Sequence, residues 1–280
     1  MRSAPRAKAG IMSENGLQLL PQSTRVSLLG LDYRHYETVD GSELYLTRFG
    51  LPFLKQLAPQ SWYATEWFAE HRVRLEGTST IYRIPTKPVN GRSLNLVVRF
   101  CRVAQDVPLD LRTMTEHPGA EFNSPFEEFA LVMELREAQK GRSRPCIWTK
   151  KPLAIYVPCA RLEDWQTGRV ESKMAAILAR HPEPKLDMAR QYLVVYGWIK
   201  GFNAVEAANV MGMTGEATRT FLKETTLRAI NDLKDRGFRM LDIKPEHVVL
   251  RVLSKDSLLR RRTGEPEYAL VDYELLQRID

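Results

Sequence analysis

The stretch Leu241-Asp-Ile-Lys-Pro-Glu-His-Val-Val-Leu250 constrains this chain most, because of what flanks it. Before it, Glu216–Arg236 carries Leu227, Ile230 and Leu233 as an apolar stripe and meets Gly237, the pattern of a long helix with a glycine stop. After it, Val248–Leu253 and Tyr268–Val271 are strand-sized runs joined by a basic loop containing Leu259-Arg-Arg-Arg262. An Asp-x-Lys-Pro segment is therefore held between a helix and two strands. A second acid, Asp272, closes the second of those strands.

Upstream, the periodicity changes character. Tyr33–Val39 is a short strand pattern ended by Asp40-Gly41, and Leu44–Leu57 has apolar residues at helical spacing. Trp62, Tyr63, Trp67 and Phe68 read as an aromatic helix packed on a sheet. Arg72–Glu76 and Ile81–Ile84 form a hairpin pattern around Gly77. Asn95–Arg102 alternates, with Leu96, Val98 and Phe100 on one face and Val97, Arg99 and Cys101 on the other. Ser124-Pro-Phe-Glu127 is a capping box that starts a helix running to about Ala138, and Pro152–Val157 is an apolar strand. From about Arg161 the pattern is mainly helical: Glu171–Arg180, Asp187–Ile199, Ala204–Met211 and Glu216–Arg236.

A strand-rich half with one helix, followed by a helical half, predicts an α+β chain of two lobes. Its order of elements, and the residues at their ends, resemble the protein-kinase superfamily over roughly residues 70–280. The resemblance implies a protein-kinase-like fold with an N-terminal antiparallel sheet and one helix, and a mainly helical, shortened C-lobe. The expected division is a flexible arm over 1–30, an extension over 31–70, an N-lobe over 71–158 and a C-lobe over 159–280. Asp242-Ile-Lys244-Pro resembles the kinase catalytic loop. That implies Asp242 as the residue orienting an acceptor hydroxyl and Lys244 as the cation steadying the transferred phosphoryl group. Val271-Asp272-Tyr-Glu274 resembles the metal-binding Asp-Phe-Gly segment, more closely its Asp-Phe-Glu variant. This implies Asp272, His247 and Glu274 as candidate ligands of Mg²⁺ or Mn²⁺. Leu96-Val97-Val98-Arg99 resembles the Val-Ala-Ile-Lys strand, so Arg99, paired with Glu128, is expected to position ATP phosphates beneath a loop that keeps one glycine, Gly77.

The departures from that family are as informative. His247 stands where an asparagine is usual, and imidazole suits Mn²⁺ better than Mg²⁺. Arg99 replaces a lysine, and its planar fork is a different phosphate ligand. Asp280 follows closely on Asp272, so no activation segment or peptide-docking helices are expected after it unless residues 182–220 substitute for them. Two functions follow. One is an atypical phosphotransferase using ATP and a divalent metal on a hydroxyl acceptor, a protein or a small molecule. The other is a pseudokinase acting as a regulatory or nucleic-acid-binding module.

The second reading draws on Gly201-Phe-Asn203-Ala-Val-Glu206 through Thr220, which resembles a helix-turn-helix set in an insertion over 182–220. Asn203 and Glu206 make a capping box, Gly212 a turn, and Arg219 and Lys223 lie on the second helix. A structural insertion and a nucleic-acid-binding element both fit that pattern. The net charge of +7 suits either a polyanion partner or ATP handling. Three scattered cysteines, Cys101, Cys146 and Cys159, argue against a disulfide framework and against a zinc site. With no apolar run of membrane-span length and no secretory pattern at Met1–Lys8, a cytoplasmic chain is expected.

Overall fold

The computed structural model describes residues 15–137, 147–254, 257–260 and 264–279. Its strands are β1 (Leu19–Leu28), β2 (Leu31–Thr38), β3 (Glu43–Leu46), β4 (Val73–Arg74), β5 (Ile81–Pro85), β6 (Asn95–Phe100), β7 (Trp148–Thr149), β8 (Pro152–Val157), β9 (Leu193–Gly197), β10 (Phe202–Asn203), β11 (Phe238–Met240), β12 (Val248–Leu250), β13 (Val252–Ser254), β14 (Ser257–Leu258), β15 (Tyr268–Leu270) and β16 (Leu276–Arg278). The helices are α1 (Leu54–Leu57), α2 (Thr65–His71), α3 (Leu111–Glu116), α4 (Pro125–Glu137), α5 (Asp164–Thr167), α6 (Glu171–Arg180), α7 (Ala204–Val210) and α8 (Gly215–Lys234).

An eight-stranded sheet in the order β1-β2-β3-β8-β9-β6-β5-β4 carries the first lobe, and its described pairs are antiparallel. Its two faces are buried in separate cores. Leu96, Val98, Leu193 and Val195 face the aromatic group around Trp62 and Tyr156. Val97, Val194 and Tyr196 face α4. Strand alternation thus puts Arg99 on the α4 side, as the sequence period predicts. Helix α4 is buried on nearly all sides, with Glu128 among Phe126, Phe129, Leu131 and Val132. Its capping box forms: the Glu127 amide donates to Ser124 Oγ at 3.1 Å, and the Ser124 amide to Glu127 Oε2 at 3.3 Å.

The second lobe is less helical than expected. A four-stranded sheet, β10-β12-β15-β7, and the antiparallel pair β11-β16 sit beside α7 and α8. The β11-β16 pair brackets the functional region, because Asp242 follows β11 and Asp272 precedes β16.

Several sequence expectations are corrected. Residues 19–28, expected in an arm, form β1, which turns at Leu29-Gly30, both at positive φ, into β2. Residues 1–14 lie outside the described residues. Leu44–Leu57 is not one helix: β3 pairs with β2 and β8, and only Leu54–Leu57 is α-helical. Asp187–Ile199 is not a helix either. Leu193-Val-Val-Tyr-Gly197 is β9, buried between β8 and β6 in the middle of the main sheet. The first lobe therefore runs past 158 to about Trp198, with α5 and α6 inserted between β8 and β9, and 182–220 is no insertion.

Candidate functional site

Four segments bring charged side chains together where the lobes meet: the end of β6, the first turns of α4, the loop after β11 and the segment after β15. Arg99 on β6 is buried and forks between two carboxylates. One arm meets Glu128 of α4, and Nη1 donates to Glu274 Oε2 at 2.5 Å. Tyr196 of β9 donates its hydroxyl to the other Glu128 oxygen at 2.7 Å. Burial disfavours charge on Arg99, yet Glu128 and Glu274 outweigh it and hold its pKa well above the ordinary value. The guanidinium stays charged.

Glu274 is the most heavily liganded carboxylate of the group. Besides Arg99 it accepts from Arg102, whose guanidinium lies 4.0 Å above the Phe122 ring, and from Ser79 Oγ at 2.6 Å. Ser79 belongs to the β4–β5 loop, where Gly77 adopts φ +139, a conformation side-chain-bearing residues rarely take. The loop expected to cover a phosphate is thus tied to a carboxylate. The segment carrying Glu274 is also fixed from behind: Asn123 Nδ2 donates to the carbonyls of Tyr273 at 3.1 Å and Leu276 at 2.9 Å.

On the other side of this segment, Asp272 faces His247, with Nε2 and Oδ2 3.6 Å apart. Burial would raise the Asp272 pKa. His247, Arg99, the Glu274 amide and Lys150 outweigh it and hold the carboxyl below its ordinary value. His247 ends the short Pro245–His247 turn, and its carbonyl accepts from the Val271 amide at 3.2 Å, which fixes the Asp242 loop against the Asp272 segment. On that loop Lys244 Nζ lies 2.9 Å from the Asp242 carboxylate, both partly open to solvent. Helix α7, with Ala204, Ala207 and Ala208 fully buried, packs under this turn.

The structure therefore brings Arg99 to Glu128, Asp242 to Lys244 and Asp272 to His247. It does not bring Glu274 into the metal set, because that carboxylate is turned away toward two arginines and a serine. Among the described residues no group of three or more His, Cys, Asp or Glu side chains is placed to share a metal ion. Asp272 with His247 still suits a cation held jointly with ligand phosphates, since Mg²⁺ and Mn²⁺ at such sites take one or two carboxylates and leave other positions to phosphate and water.

Three participants carried no sequence signal. Lys150 is buried, donates from Nζ to the Val271 carbonyl at 2.7 Å, and has its pKa pushed down to about 8 by burial despite Asp272. Arg102 lies beyond the end of β6, so strand period says nothing of its direction. Ser79 sits in a serine-threonine loop that reads as a simple turn.

Asn203 and Glu206 close their capping box, with both bonds at 2.9 Å, and Gly212 turns the chain at φ +69. But α7 supports the Asp242 loop and α8 leads into it, so the pair belongs to the lobe's framework. Arg219 is bound to Glu216 on its own helix. Of the basic loop, Arg261 and Arg262 lie outside the described residues.

Together these features define an α+β chain of two lobes with a charged cleft where they meet: a sheet strand whose cation meets a helix glutamate, then the Asp242 loop and Asp272 on adjoining segments. Among solved structures the chain is similar to vaccinia related kinase 3, with 11% identity, a TM-score of 0.36, and coverage of 92% of this chain and 52% of that one. It is also similar to WbdD, crystallised with a kinase inhibitor, at 12% identity, a TM-score of 0.28, and coverage of 75% and 36%. The chain thus spans between about a third and a half of these proteins. No protein-family model matches it, and no curated protein does. No helix among the described residues is long and apolar enough to cross a membrane.

Proposed function

We propose that this cleft binds a nucleoside triphosphate, ATP by the family resemblance, and hands its terminal phosphoryl group to a hydroxyl acceptor. The observation that carries the reading is the Arg99 fork. It links the phosphate-side strand and helix to the segment bearing Asp272, so phosphate and metal groups would be held in one frame. Asp242 would orient the acceptor hydroxyl and take its proton, and Lys244 beside it would offset charge on the moving group. Asp272 and His247 would hold Mg²⁺ or Mn²⁺, which supplies charge neutralisation between phosphates. Arg102 and Ser79 are further anion donors at the same place.

A specific observation favours a second reading, a regulatory pseudokinase. Both arms of Arg99 are engaged, and the Glu274 carboxylate holds the donors a phosphate would need. In the phosphotransferase reading Glu274 must yield to the nucleotide; in the pseudokinase reading it stays.

Thermal shift with ATP plus Mg²⁺ or Mn²⁺, on wild type and Asp272→Ala, tests the nucleotide site. Metal-dependent stabilisation that disappears in the variant supports it. No shift at millimolar nucleotide with either metal rejects it. Turnover is tested by ATP consumption, expected in wild type and lost in Asp242→Asn. A salt-dependent DNA mobility shift that survives Asp242→Ala but weakens in Arg219→Ala would instead support a nucleic-acid-binding module.

A further inference from the structure

A cavity of about 600 Å³ opens on the molecule away from the residues described above. It lies where the large sheet meets the four-stranded sheet, along the linker from β9 to β10, and none of Arg99, Glu128, Asp242, Asp272 or Glu274 lines it. Its size falls in the ordinary range for small-molecule sites, roughly 300–1,000 Å³.

Leu153, Val249 and Ala269 give it an apolar floor, and Trp148 and Trp198 stand in its wall. Trp148 is 51% exposed, a large apolar ring left half open on the two-residue edge strand β7. Around these rings sit Lys151, Lys200 and Arg251, all exposed, against a single acid, Glu267. Among the described residues none of the three cations has an ion-pair partner, whereas Arg99 and Arg102 in the cleft both do. Chain direction accounts for the separation from the cleft. Lys150 is buried and reaches Val271, while its neighbour Lys151 is exposed and lines this cavity.

We propose that this cavity binds a small anion with a flat aromatic body, an aromatic carboxylate, sulfonate or phosphate. The half-open Trp148 indole offers its face to an aromatic ring, while Trp198 already has Arg83 over its ring at 5.0 Å, and the surplus of unpaired cations selects negative charge. The concave, apolar floor favours a small molecule over a polymer strand, which would leave most of it uncovered.

Isothermal titration with naphthalene-2-sulfonate tests this, with 2-naphthol and methanesulfonate as the neutral-aromatic and non-aromatic comparators. Wild type is expected to bind the sulfonate saturably at one site, at least tenfold tighter than either comparator. Lys151→Glu with Arg251→Glu should weaken it at least tenfold, and Asp272→Ala should leave it unchanged. Both reversed residues are exposed, and Lys151→Gln with Arg251→Gln, expected to weaken binding severalfold, serves if the reversal impairs folding. Equal binding of sulfonate and naphthol, binding indifferent to both sets of substitutions, loss in Asp272→Ala, or no saturation at millimolar ligand would each overturn the proposal.

Discussion

Glu274→Gln separates the two things this carboxylate does. In the folded chain it is 4% exposed and accepts from Arg99, Arg102 and Ser79. The amide keeps the shape and one acceptor oxygen but removes the charge, leaving Arg99 with Glu128 and Arg102 with no carboxylate among the described residues. Removing one partner of a buried ion pair costs about 3–5 kcal/mol, and the low end applies because Arg99 keeps Glu128. For a chain of 280 residues that is a Tm loss of about 6 °C, at roughly 2 °C per kcal/mol. The same substitution frees anion donors. Tripolyphosphate at ten times its Kd should then restore about 1.4 kcal/mol, roughly half the loss. Differential scanning calorimetry of both proteins, with and without tripolyphosphate, reads both effects. A variant melting within a degree of wild type, or one that tripolyphosphate stabilises no more than wild type, would refute the idea that Glu274 occupies an anion site.

Lys150→Met should abolish a rise in stability between about pH 8 and the ordinary lysine range. The folded-state pKa of Lys150 is lowered to about 8, so over that window the unfolded chain binds a proton that the folded chain does not, and stability climbs with pH. Urea unfolding at pH 8 and pH 10 checks the slope. Gly201→Ala should destabilise the chain by about 2 kcal/mol or more, because the backbone sits at φ +153 and a Cβ would lie 2.5 Å from the Leu250 carbonyl oxygen. Its melting temperature reads this directly. Ser124→Ala removes the cap of α4 and should cost about 1 kcal/mol in urea unfolding, through the helix that carries Glu128.

What the sequence made legible follows from where period and capping are unambiguous. Alternation along Asn95–Phe100 placed Arg99 on the α4 side, and the Ser124 box set the register that carries Glu128 to it. Leu193–Gly197 misled because a short apolar run buried on both faces has no alternation, and flanking residues gave it helical spacing. Only pairing with β6 and β8 decides it. The β1–β2 hairpin turns through Leu29 at positive φ, a residue that carries no turn signal. Glu274 looked like a metal ligand because Asp272 is two positions away. Besides Arg99, its partners are Ser79 and Arg102, which lie far off in sequence and meet it only through the loop between β4 and β5 and the irregular end of β6.

The direct test of the cleft is isothermal titration of ATP with Mn²⁺ into wild type, Glu274→Gln and Asp272→Ala. A nucleotide site latched by Glu274 predicts one-to-one binding in wild type, tighter binding in Glu274→Gln and none in Asp272→Ala. The same affinity in all three proteins, or no heat of binding in any, would contradict it.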